Sequence, residues 1–171
     1  MILGMSVGAF TTLHVIISLG AIASGLIVLL AMIGNRRLDG LTAFFLGAAV
    51  STGVTGFLFH SNTIGLQHIV GAISLADLAI ALLALYGRRL IGLWRAVYVI
   101  SVVFALYLNC FLGIVQAFQK IPFLHGLAPT GAEPPFLVVQ GATLAAFGML
   151  GYLAVRAYRP RRPAAVASRS I

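Results

Sequence analysis

Residues 8–33 read GAFTTLHVIISLGAIASGLIVLLAMI, with no charged side chain, and the basic pair Arg36-Arg37 follows. About 20 predominantly apolar residues in a helix cross the hydrocarbon core of a bilayer. This run is long enough to do so. Four more runs of the same kind follow at residues 41–59, 64–86, 93–118 and 136–155, separated by short polar segments. The expected fold is therefore an all-α membrane protein: a bundle of five transmembrane helices forming one domain over residues 1–158. Residues 159–171 are read as a basic cytoplasmic tail without fixed structure. Composition agrees. Of the 171 residues 61% are hydrophobic and 8% charged, with a mean hydropathy of +1.08, whereas soluble domains carry about a quarter charged residues.

The net charge of +8 resembles a nucleic-acid signal, but the positions of the cations argue otherwise. Arg36 and Arg37, then Arg88, Arg89 and Arg95, then Arg156, Arg159, Arg161, Arg162 and Arg169 punctuate the ends of alternate apolar runs. Lys120 alone lies elsewhere. Short basic segments between hydrophobic runs orient membrane proteins with those segments in the cytoplasm. The segments around 60–63 and 119–135 then face outward, the N-terminus is outside and the C-terminus inside. The basic tail is expected to meet anionic lipid headgroups, and no nucleic-acid partner is expected. Ala21-Ile22-Ala23 resembles a signal-peptide cleavage site, but no basic residues precede it and the apolar run continues past it, so the first helix is read as uncleaved.

Small residues recur four apart at Gly20/Ser24, Ala21/Gly25, Gly47/Ser51, Ala49/Gly53 and Thr52/Gly56. In lipid, such pairs let helix backbones approach closely, consistent with a tight bundle, a homo-oligomer or docking on a larger membrane complex. The segment 119–135 holds Pro122, Pro129, Pro134 and Pro135. It is expected to be ordered against the membrane face, which would shelter Ile121, Phe123, Leu124 and Leu127. Pro134-Pro135 suits the first turn of the fifth helix, where a missing N–H costs nothing.

The four histidines, His14, His60, His68 and His125, all fall on the outward side of this topology. Imidazole binds haem iron, copper or zinc and relays protons near neutral pH. His14 lies about six residues, roughly 9 Å, inside the first helix, where a polar ring needs a partner. His14 and His68 are the candidate ligands for haem b or a metal ion, with Gln67, Gln116, Gln119, Gln140 and Glu133 on the same half as groups that orient them. Asp77 lies near the middle of the third span, where a carboxylate marks function by default. It stands on the opposite helix face from His68, about 900° away. On the fourth run Ser101, Ala105, Asn109, Gly113 and Gln116 form one small and polar stripe, and Asp77 is expected to meet Asn109 or the Tyr107 hydroxyl. Asp77, Asn109, Gln116 and Gln140 are accordingly the candidate ligand-binding or proton-relay residues.

No G-x-S-x-G elbow, P-loop or dinucleotide fingerprint occurs. The single cysteine, Cys110, has no neighbouring cysteine or cation to activate it. An enzyme is therefore not the expectation.

Four segments carry a resemblance: Leu38–Ala43, His68–Gly71, Ala105–Asn109, and Leu127–Phe136 followed by Gln140. Together they resemble small, uncharacterised multi-pass inner-membrane proteins of bacteria. That resemblance implies a bacterial cytoplasmic membrane and no particular activity. The size and five spans are also similar to translocator-protein sterol and porphyrin binders, a group rich in intramembrane tryptophan, where this chain has only Trp94. The leading expectation is a non-enzymatic bundle that binds a small lipophilic ligand or docks on a membrane complex. The alternatives are a haem- or metal-binding redox protein using His14 and His68, and a proton-coupled carrier using Asp77.

Overall fold

The computed structural model describes residues 4–59 and 65–159, and every regular element in them is helical. Helix α1 spans Val7–Ile33, α2 Asp39–Phe57 and α3 Leu66–Leu82, which continues as a π-helical turn over Leu83–Gly87. Helix α4 spans Trp94–Lys120, the short α5 Pro122–Leu127 and α6 Pro134–Ala157. Five of these, counting α3 with its π turn, are long and apolar enough to cross a membrane, and their ends fall within two residues of the sequence expectation. His60, the side chain of Gln67 and the tail beyond Arg159 lie outside the described residues.

Local chemistry explains the boundaries. The Ser6 hydroxyl accepts from the Ala9 N–H at 3.2 Å and caps α1, satisfying one of the four donors that a helix start leaves free. Pro134 and Pro135 open α6 as expected, and Pro122 opens α5. The turn between α3 and α4 passes through left-handed backbone at Arg89, Leu90 and Gly92, with φ of 50°, 60° and 58°. That conformation disfavours side chains other than glycine. Here it tucks Leu90 into the core at 2% exposure and leaves Arg88 over the Trp94 ring, 5.1 Å from its centroid.

Helix α4 is the axis of the bundle. Half of its apolar window is buried, against 11% for α6, and it packs against α1, α3 and α6. Its Tyr98, Val102 and Leu106 form the core with Leu29 of α1 and Phe45 of α2. Large apolar side chains such as Ile16, Leu30, Phe44 and Leu137 point outward. A helix apolar all round is a sign of burial in protein or lipid. The segment after α4 is ordered as α5, and its Phe123, 74% exposed, lies open with Ile121 and Leu127 on the outside of the protein.

Four contacts join the α1–α2 turn and the start of α4 to the end of α6. Arg95 Nη1 donates to the Val155 and Tyr158 carbonyls at 2.7 and 2.6 Å. The Arg159 N–H donates to Asn35 Oδ1 at 2.8 Å. The Arg37 guanidinium lies over the Tyr158 ring at 5.7 Å. We call this the basic end, and the opposite end, with His14 and His68, the histidine end.

Candidate functional site

The polar residues singled out in the sequence separate into three places along α4 and its neighbours. Asp77 on α3 is half-buried, and its Oδ2 is buried with no hydrogen-bond partner. The group beside its carboxyl is the Ser101 hydroxyl of α4, which is 4% exposed. The expected meeting with Asn109 or Tyr107 does not occur. Asn109 Nδ2 donates to Ala105 O of its own helix at 3.3 Å, and Tyr107 packs among Phe104, Phe111 and Phe147. The stripe was the right face read at the wrong level. Asn109 lies eight residues beyond Ser101, about 12 Å along the helix at 1.5 Å per residue. The tight turn before Trp94 sets which level of α4 comes opposite Asp77.

Gln140 of α6 is the most enclosed of the candidates, at 9% exposure. Its Nε2 donates to the Phe111 carbonyl of α4 at 3.2 Å. Because that carbonyl only accepts, the NH2 must face it, which settles the amide orientation. Its Oε1 is then buried with no donor. Phe118 and Phe136 close the interface above it edge to face, with ring centroids 5.3 Å apart. Gln116 lies on the same half of α4, half-buried.

The histidine end is built from hydroxyls that the sequence reading passed over. His14 Nδ1 is 2.7 Å from Thr55 Oγ1. That hydroxyl has one proton and three acceptors in reach, His14 Nδ1 and the Ser51 and Thr52 carbonyls at 2.6 and 3.2 Å, so Thr55 ties His14 to α2 whichever ring nitrogen carries the proton. Ser18 Oγ donates to His14 O at 2.8 Å and lies 3.4 Å from Thr52 Oγ1. The spacing of Ser51, Thr52 and Thr55 against His14 and Ser18 was the available signal. At His68 the backbone fixes the tautomer: the Gly65 N–H donates to its Nδ1 at 3.3 Å, so the proton sits on Nε2. His68 packs on Phe57 at 5.9 Å and His14 on Phe59 at 5.2 Å. Among the described residues no three His, Cys, Asp or Glu side chains converge closely enough to hold a metal ion.

Glu133 is tied into its own turn. Oε1 accepts from the Thr130 N–H and hydroxyl at 3.0 and 2.9 Å, and Oε2 from the Ala132 N–H at 3.1 Å. Desolvation pushes its carboxyl up, but these bonds to the charged form outweigh it and hold the group below the usual carboxylate range. Its work is to close the turn before α6. His125 on α5 is exposed. Comparison with known families, curated proteins and solved structures yields no match.

Proposed function

We propose that the chain is a non-enzymatic membrane bundle that binds a small lipophilic molecule at the α4–α6 interface, with Gln140 as its polar anchor. The observation that carries this reading is the buried, unpartnered Gln140 Oε1. An orphan acceptor away from water costs about 1–3 kcal/mol, so a ligand hydroxyl or N–H that reaches it recovers that cost. The aromatic side chains of Tyr107, Phe111 and Phe118 along the same helix suit a flat apolar body. We place the protein in a bacterial cytoplasmic membrane with its basic end in the cytoplasm; the contacts of Arg37 and Arg95 with the end of α6 bring the basic segments to one end, which supports that orientation. The test is Gln140→Leu. In solvent extracts of the detergent-purified protein, one lipophilic species present in the parent falls at least about fivefold in the variant, while the variant remains folded and monodisperse. Identical extracts overturn the reading.

The hydrogen bond between His14 and Thr55 favours a second reading, a small redox protein with haem b or a metal ion. A ligating imidazole ordinarily donates its other ring N–H to a fixed partner, and the Thr55 hydroxyl, 2.7 Å from Nδ1, is such a partner. The nitrogen of His68 that faces Gly65 is occupied. This reading predicts a Soret band or bound metal in the purified protein that is lost in His14→Ala and retained in His68→Ala. A colourless, metal-free, folded protein removes it.

A further inference from the structure

The basic end encloses a cavity of about 110 Å³ that none of the readings above uses. Several elements build it. The α1–α2 turn passes through left-handed backbone at Asn35, with φ of 52°, and delivers Arg36 and Arg37 to one wall. Helix α2 then starts at Asp39 behind Leu38, which offers no side-chain acceptor, so no side chain caps the N–H groups of its first turn. The π turn at the end of α3 brings Leu85 and Tyr86 to the opposite wall. Turns of this kind insert one extra residue and re-aim side chains, often at functional sites. Tyr98 of α4 and Tyr158, held in place by Arg95 bonded to its carbonyl, complete the enclosure.

The chemistry of the walls is that of an anion site. Arg37 Nε is buried and has no hydrogen-bond partner, although its guanidinium is fixed over the Tyr158 ring. Thr42, Tyr98 and Tyr158 are buried on the walls at 8%, 1% and 4% exposure; the Tyr98 hydroxyl lies against Thr42, and the Tyr158 hydroxyl against Arg37. Asp39 is the acid on the wall; set against Arg36 and Arg37 it leaves the cavity positive. A guanidinium, hydroxyls and a helix N-terminus border one cavity. Arginine forks and helix starts are both matched to oxyanions, phosphate among them. The volume accommodates several water-sized groups. Val28 and Met32, both in the core, close its inner apolar side, so a lipid's glycerol and acyl chains would leave by the outer side.

We propose that this cavity is a phosphate site that takes the headgroup of an anionic phospholipid, with Arg37 as its principal ligand. Basic pockets between membrane helices bind such headgroups on the cytoplasmic side. The site is separate from Gln140, and its test is independent of that reading. The purified full chain is placed in phosphatidylcholine nanodiscs, phosphatidic acid is added, and the melting temperature is followed, since a ligand that binds only the folded state raises it. The expected result is a saturable rise for the parent chain. Arg37→Gln needs at least about tenfold more phosphatidic acid for half the effect, Arg37→Lys falls between them, and Arg89→Gln, outside the cavity, matches the parent. Equal responses of the parent and both Arg37 variants overturn the proposal, as does an Arg89→Gln loss equal to that of Arg37→Gln, which would mean diffuse surface attraction. Inorganic phosphate in place of the lipid distinguishes the source. A rise with phosphate equal to that with lipid supports the phosphate site with the free anion as occupant, and a rise with lipid alone supports the headgroup. No rise with either overturns it.

Discussion

Gly25→Leu abolishes the folded bundle, whereas Gly47→Ala leaves it intact. Gly25 sits where α1 crosses α2 and α4, and a Cβ built there would lie 2.7 Å from both Leu106 Cδ1 and Phe45 Cε2. Those two side chains are completely buried and have nowhere to go. Even Gly25→Ala forces them off their rotamers, at about 1–3 kcal/mol, and regains only about 1 kcal/mol of helix propensity. Leucine adds three more carbons to a space already too small for one. Gly47 has nothing within 4 Å of its would-be Cβ, so alanine there only stiffens the helix. Size-exclusion profiles and thermal unfolding in detergent read the result. A monodisperse Gly25→Leu protein melting with the parent would refute this account of the helix crossing.

Arg95→Met releases the end of α6. Most of that helix has little protein around it, and Arg95 Nη1 supplies donors to two of its last carbonyls, Val155 and Tyr158. A hydrogen bond to a charged group contributes about 1.5–3 kcal/mol, and methionine donates none. Hydrogen exchange should accelerate over the last two turns of α6, with a lower melting temperature for the whole chain. Arg95→Lys recovers part of the loss: both bonds come from Nη1 alone, and a lysine ammonium has donors enough for two carbonyls but sits on a shorter, more flexible stem. Unchanged protection in Arg95→Met would show that packing alone holds α6.

The spans were legible because crossing hydrocarbon demands length and apolarity in one continuous segment, and both are local properties of the chain. Pro134 and Pro135 marked the start of α6 for an equally local reason. The polar partners were harder. Asp77 and the Ser101 stripe were both visible, yet the partner was misjudged because vertical alignment depends on the turn at residues 88–93 and the π turn before it. Neither left-handed Arg89 and Leu90 nor an inserted π residue has a signature in hydrophobic periodicity. His14 was visible as a polar ring at depth, but its tie to Thr55 depends on which residues of the facing helix come level with it.

Arg36 and Arg37 show the division most plainly. In the sequence they are punctuation between two apolar runs, and that reading carries the expected orientation. Their convergence with Tyr98, some sixty positions away, and with Tyr158 at the end of α6 requires three helix ends to meet in space. The sequence by itself determined that this chain is a bundle of apolar helices with its cations gathered at alternate ends, because solvation by lipid acts residue by residue. The tertiary structure alone decided that an acceptor is left without a donor at Gln140 Oε1 and a donor without an acceptor at Arg37 Nε. Hydrogen bonds between helices depend on register and rotation, which no single helix specifies.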